Sequence, residues 1–185
     1  KGNVINNNYN IYSDELIYDL KGDEFIFSHN IKLLNDDFTI KTEHMTNTDS
    51  LINFSGATLI NYENVLIECK NGNLKNSQNM EIFDGLTITS DTTIIKANYL
   101  KKNRNINYFH ENISIKVNNN THIYGEKLIQ KNEISTITKN SYVKLISNSD
   151  STIISGDTII IEDKQREAEI KNNIILNGNE LNGKC

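Results

Sequence analysis

Apolar residues recur along the chain in short alternating runs broken by polar clusters. Phe25, Phe27, Ile31 and Leu33 fall on one face with mostly polar residues between them, which predicts half-buried strands. A hexad of the form apolar–x–small–polar–x–apolar keeps returning. It reads IYSDEL from Ile11, IKTEHM from Ile40, IKANYL from Ile95, IYGEKL from Ile123 and ISGDTI from Ile154. A weaker copy, IECKNG, starts at Ile67 with Leu74 displaced by two, and a truncated copy, LNGKC, starts at Leu181. The starts are spaced 29, 27, 28, 28, 31 and 27 residues apart. A second element follows each hexad start by 16 to 19 residues. It is an Asn or Gly leading into apolar residues, at Asn30, Gly56, Gly85, Asn112 and Asn173, with Asn140 in that place in the fifth repeat. Asn and Gly tolerate a left-handed backbone, so each marks a turn, bulge or bend. Common Ile and Asn explain the residue types but not their phase.

The hexad contains a change of parity. Ile11 and Ser13 share one face of a strand, while Leu16 and Tyr18 share the other. The same switch runs from Ile40 to Met45, Ile95 to Leu100, Ile123 to Leu128 and Ile154 to Ile159. A bulge or bend at the central polar residue (Asp14, Glu43, Asn98, Glu126 or Asp157) restores a common inner face. The small residue before it leaves room for the corner. Polar turns separate the elements, among them Asp19–Asp23, Thr46–Asp49, Lys101–Asn105 and Glu162–Arg166. A second set lies between repeats: Asn35–Asp37, Asn61–Asn64, Asn118–Asn120 and Asn148–Asp150. Short connections favour antiparallel pairing, in about twelve to fourteen strands.

The inner stripe then consists of Ile11, Ile40, Ile67, Ile95, Ile123 and Ile154 before the bend and Leu16, Met45, Leu100, Leu128 and Ile159 after it. Phe27, Phe54, Ile82, Tyr108 and Ile170 face them from the alternate strands.

Composition narrows the class. The 185 residues contain no Pro, only 9 Gly, and about thirty each of Asn and Ile, so nothing interrupts long ladders. Collagen, coiled coil and Pro-rich disorder are excluded, and no apolar run is long enough for a transmembrane helix. The start, KGNVINNNYN, lacks a signal h-region. Lys and Arg total 19 against 24 acids, for a net charge of -5, which argues against nucleic-acid binding. Asn abundance fits an AT-rich coding sequence, and the sequons at Asn53, Asn112 and Asn119 are expected by chance. Two cysteines, Cys69 and Cys185, make neither a disulfide framework nor a metal tetrad. Cys69 stands in the small hexad position and reads as a buried residue.

No catalytic constellation emerges. His29, His44, His110 and His122 lack metal-ligand spacing and read as solvated strand residues, and no nucleophile elbow, P-loop or dinucleotide fingerprint occurs. The acids Asp14, Glu43, Glu126 and Asp157 fit either a cation-binding ladder or, better, bend residues bonding locally to backbone.

The in-phase hexads, with IYSDELIYD, ISGDTIIIED, AEIKNNIIL and the closing LNGKC, resemble the OstA/LptA-like repeat of lipopolysaccharide transport proteins, and most closely OstA-like proteins of the Bacteroidota. The resemblance covers about Ile11 to Cys185; the third hexad and Asn140-Ser141 depart from it. It implies an antiparallel β-jelly roll, or β-taco, of about six 28-residue repeats over residues 1–185, with 1–10 an irregular lead-in or partial strand. It also implies a non-enzymatic, cofactor-free periplasmic module, associated with outer-membrane assembly. Such a module holds the lipid A acyl chains of lipopolysaccharide between two sheets. Its open edges imply a segment of a longer chain, or strand addition to other OstA-type domains. Two alternatives remain: a parallel β-helix that binds surface polysaccharide, and a purely structural β-scaffold. The direction of strand pairing separates the β-helix from the taco.

Overall fold

A computed structural model describes residues 2–5, 8–48, 50–76, 78–147, 150–162, 167–178 and 182–184. Asp49, Asn148-Ser149, the turn 163–166, Leu181 and Cys185, all cited above, lie outside the described residues. The chain divides into two compact units, Lys1–Ser90 and Asp91–Cys185.

Unit 1 contains β1 (Gly2–Ile5), β2 (Asn10–Ser13), β3 (Glu15–Asp19), β4 (Glu24–Leu34), β5 (Phe38–Asn47), β6 (Ile52–Tyr62), β7 (Val65–Asn76) and β8 (Asn79–Thr89). Unit 2 contains β9 (Thr93–Ala97), β10 (Tyr99–Asn103), β11 (Ile106–Val117), β12 (Thr121–Lys131), β13 (Ile134–Ile146), β14 (Ser151–Glu162), β15 (Glu167–Lys171), β16 (Ile175–Asn177) and β17 (Asn182–Lys184). The described residues form no helix. Within each unit every ladder is antiparallel. The protein is therefore all-β and antiparallel, as the short polar turns predict, and the parallel β-helix is ruled out. Among the described residues seventeen strands exceed the twelve to fourteen expected because corners at Asp14, Asn98 and residues 172–174 each cut one long strand in two.

The parity break is a bulge. Registers shift between Ser28 and Ile31, between Lys41 and His44, between His110 and Ile113, between Tyr124 and Lys127, and between Thr138 and Ser141. Each shift moves the strand by one in the alternation, so the apolar residues before and after it return to one side. In β5, Phe38, Ile40 and Thr42 are buried before the corner and Met45 and Asn47 after it.

Every Asn or Gly marker adopts positive φ: Asn30 (51°), Gly56 (88°), Gly85 (89°), Asn112 (53°), Asn140 (52°) and Asn173 (47°). The residue before it does the same at His29, Asp84, Glu111, Lys139 and Asn172. Two successive left-handed residues turn the strand sharply, a conformation costly for most L-residues and cheapest for Gly and Asn. In the second repeat the register resumes at Thr58, so the bulge spans Gly56-Ala57. Thr58 and Ile60 therefore point inward, and Leu59, read as part of the apolar stretch, is exposed.

Each unit carries two inner rungs, one on either side of its corner. In unit 1 the first runs Ile11, Leu33, Ile40, Ile60, Ile67, Ile88, and the second Leu16, Phe27, Met45, Phe54, Gly72, Ile82. In unit 2 they run Ile95, Ile115, Ile123, Val143, Ile154, Leu176 and Leu100, Phe109, Leu128, Ile137, Ile159, Ile170. One face of a lone sheet stays wet. Ile11, Phe27, Leu33, Ile40 and Ile60 are 0% exposed because the corner folds one half of each strand over the other.

Candidate functional site

The sixteen candidate stripe residues can be placed one by one. Ile11, Phe27, Ile40, Met45, Phe54, Ile67, Ile82, Ile95, Leu100, Ile123, Leu128 and Ile159 are all buried on the inner rungs. Leu16, Ile154 and Ile170 occupy their rungs but are half-buried. Tyr108 is a correction. It pairs with Lys101 and Ile129 on the outer face, and Phe109, 1% exposed, takes the inner place between Leu100 and Leu128. The two aromatics are adjacent, and the one-residue choice between them was settled by register with β10, which composition does not reveal.

The poor third hexad has a packing reason. Gly72 stands in the rung position that holds Met45 or Leu128 elsewhere, and the Phe54 ring lies over it. A Cβ on Gly72 would come within 2.4 Å of that ring and 2.6 Å of the Glu81 carbonyl. Leu74, two residues on, is buried against Ile52 and Met80. Ser141, where an apolar residue is expected, is also inner and 2% exposed, with its Oγ donating to the Gly156 carbonyl at 2.6 Å. The small hexad residues Ser13, Thr42, Cys69 and Ala97 are buried too. Thr42 Oγ1 bonds the Ser55 carbonyl and Thr58 Oγ1, so the buried hydroxyl is satisfied. Burial pushes the Cys69 thiol up to about 12, since a thiolate there would lose its hydration.

The hexad acids hold the corners. Asn30 Nδ2 donates to Asp14 at 2.6 Å, Asn140 Nδ2 to Glu126 at 2.5 Å and Asn173 Nδ2 to Asp157 at 2.8 Å. In the third and fourth repeats the partners are exchanged: Asn71 and Asn98 on the hexad strand donate to Asp84 and Glu111 on the bulge. The carboxylates thus bond side-chain amides on the next strand, while the hexad backbone N–H groups of Asp14, Asn98 and Asp157 donate to the bulge carbonyls. Among the described residues no group of three or more His, Cys, Asp or Glu is placed to hold a metal ion. His29 and His44 are exposed, His110 lies 5.9 Å from the Tyr99 ring, and His122 stacks on Tyr124.

Two troughs open beside corners. One, of about 1330 Å³ in unit 1, is lined by Lys32, Lys41, Lys70, Glu43, Glu68 and residues around them. The other, of about 700 Å³ in unit 2, includes Thr138, Asn140, Tyr142, Asp157, Thr158 and Asn173. The sequence offers no sign of either, because each is assembled from three or more strands.

These features define an antiparallel repeat protein in which every repeat turns a corner around an apolar stripe, five of the six corners clamped by an Asn–acid pair. No family model matches the chain, and no curated protein matches it. Among solved structures the chain is similar to LptH, the LptA-homologous periplasmic component of the lipopolysaccharide transport device of Pseudomonas aeruginosa. The identity is 8% and the TM-score 0.25, over 91% of this chain and 93% of that one. At that TM-score the similarity bears no weight, and the fold rests on the strands and their register.

Proposed function

We propose that the chain is a non-catalytic, lipid-carrying module of a lipopolysaccharide transport bridge, holding lipid A acyl chains between its folded-over halves in the periplasm. The observation that supports this most is the stripe itself. It is apolar on both sides of the corner, repeats once per hexad, and loosens in unit 2, where Ile154, Ile170, Ile174 and Leu176 are only half-buried. An acyl chain needs a long apolar surface and no directional partners, which is what stacked rungs supply. Ile154 and Ile170 are where such a chain would enter. Association with other OstA-type domains by strand addition, near the outer membrane, belongs to the same reading.

Native mass spectrometry of protein purified from a lipopolysaccharide-producing host tests it, together with a photocrosslinker at Ile154 and at Leu100. Lipopolysaccharide adducts, strongest from Ile154, are expected. Protein free of lipid and without crosslinks at either position overturns it. A dry structural scaffold is favoured by one observation, the near-complete burial of twelve of the sixteen stripe residues, and it is the reading that a lipid-free result would leave standing.

A further inference from the structure

The outer face of unit 2 carries an aromatic row that the lipid stripe does not use. Tyr124 and Tyr142 sit directly opposite each other on β12 and β13. Their rings stack at 4.6 Å between centroids and 21°, and His122 continues the row at 6.3 Å and 15°. Tyr142 also lines the trough of about 700 Å³. Its neighbour on the other side is Ser155, whose short side chain leaves the space beside the ring open. Around that space stand Thr138, Lys139, Asn140, Asp157, Thr158 and Asn173. The corner clamp fixes two of these, because Asn173 Nδ2 already donates to Asp157 Oδ2. The other carboxylate oxygen and the amide oxygen are left as acceptors, and the threonine hydroxyls serve as donors or acceptors.

A flat ring beside a fan of hydroxyl, amide and carboxylate groups is complementary to one ligand chemistry. A pyranose presents a patch of C–H bonds on one face, which packs on an aromatic ring, and a rim of hydroxyls that bond in plane. The trough in unit 1 has three lysines and no Tyr or Phe in its lining, so it lacks the platform. The unit 2 trough sets Asp157 against Lys139, so its lining carries no net charge that would favour an ion over a neutral ligand.

We propose that this trough is a saccharide subsite, with a neutral hexose unit stacked on Tyr142 and its hydroxyls bonded to Asp157, Thr158 and Asn173. The site lies on the outer face and does not depend on lipid carriage.

The test is titration of the ¹⁵N-labelled full chain with maltohexaose, with cellohexaose and with core oligosaccharide freed of lipid, read as amide shift changes. Saturable shifts confined to residues 138–142, 155–158 and 173–175 are expected with at least one of the three. Tyr142→Ala should weaken the binding about tenfold, and a Tyr62→Ala control in unit 1 should leave it unchanged. If Tyr142→Ala fails to fold by circular dichroism, the near-isosteric Thr158→Val replaces it, with about threefold weaker binding expected from one lost hydrogen bond. No shifts at about 10 mM of any probe, well above a useful dissociation constant, would overturn the proposal. So would binding unaffected by the variant that folds.

Discussion

The two units share one repeat but fill it differently. In unit 1 the residues Ile11, Leu33, Ile40 and Ile60 of the first rung are fully buried, Ile67 is 9% exposed and Ile88 is half-buried. The equivalent residues of unit 2, Ile95, Ile115, Ile123 and Val143, are 4–8% exposed, and Ile154 and Leu176 are half-buried. Five of the six phenylalanines lie in unit 1 and only Phe109 in unit 2. Phe27, Phe38 and Phe54 are buried and fill the space between the folded halves of unit 1, where unit 2 sets Phe109. The short strands differ too: β15 and β16, of five and three residues, have none buried, whereas β2 of unit 1, of four residues, buries Ile11 and Ser13. The same periodic pattern thus gives a first rung sealed from Ile11 to Ile60 in unit 1 and one that loosens at Ile154 and Leu176 in unit 2.

Core truncation should expose this contrast most strongly. Phe54→Ala or Phe27→Ala removes a sealed ring and should cost about 3–5 kcal/mol in urea unfolding followed by circular dichroism. Ile154→Ala should cost about 1 kcal/mol, since much of that side chain is already in water. Equal losses would erase the distinction between the units.

Cys69 probes the sealing of unit 1 by pH. Its native thiol titrates near 12 against an ordinary value of 9.0, so the unfolded chain releases this proton first. The stabilising contribution is whole below pH 9 and is lost as pH rises from 9 toward 12. The stability difference between the protein and Cys69→Ala, measured by urea unfolding at pH 7, 9 and 10.5, should therefore shift against the thiol as pH rises. A constant difference would mean that water reaches Cys69.

Two glycines compare the stiffness of the two interiors. At Gly72 an added methyl meets the sealed Phe54 ring and a backbone carbonyl, and Gly72→Ala should cost about 1–3 kcal/mol. At Gly156 it meets Cγ2 of Ile170 at 2.5 Å, but Ile170 is half-buried and can move aside, and the Lys171 and Asn172 carbonyls stand further off at 3.1 and 3.2 Å. Gly156→Ala should therefore cost less than about 1 kcal/mol in the same assay. The reverse order would show that unit 2 is the stiffer.

The smallest effect lies on the outer face of unit 1, where Lys32 and Lys41 are paired directly across the ladder. Lys41→Glu converts a repulsive pair into an attractive one and should add about 0.2–1 kcal/mol at low ionic strength. The gain should fade at about 1 M salt. A salt-independent change would point to packing of the side-chain stems.

The repeat, the antiparallel pairing and the corners were legible in the residues because each depends on local chemistry. The phase of Ile11, Ile40 and Ile95 marks strands, the parity break between Ile11 and Leu16 marks a bulge, and Asn30 or Gly85 marks a left-handed residue. All six such markers have positive φ. Tyr108 against Phe109, and Leu59 against Thr58, were not legible, since a one-residue change of register inverts a whole strand and the sequence holds both alternatives. The exchange of Asn and acid at Asn71–Asp84 and Asn98–Glu111 was hidden for a related reason: the two partners lie 13 residues apart, on different strands.

By itself, then, the sequence determined where strands bend and which kinds of residue lie inside, because steric preference and alternation act over a few neighbouring residues. Only the tertiary structure decided which inner residues are sealed, that Gly72 yields its place to Phe54, and that Tyr124, Tyr142, Asp157 and Asn173 share one outer face. Those outcomes depend on volume and proximity between strands far apart in the chain, and no local pattern encodes the distance between two side chains that meet only after folding.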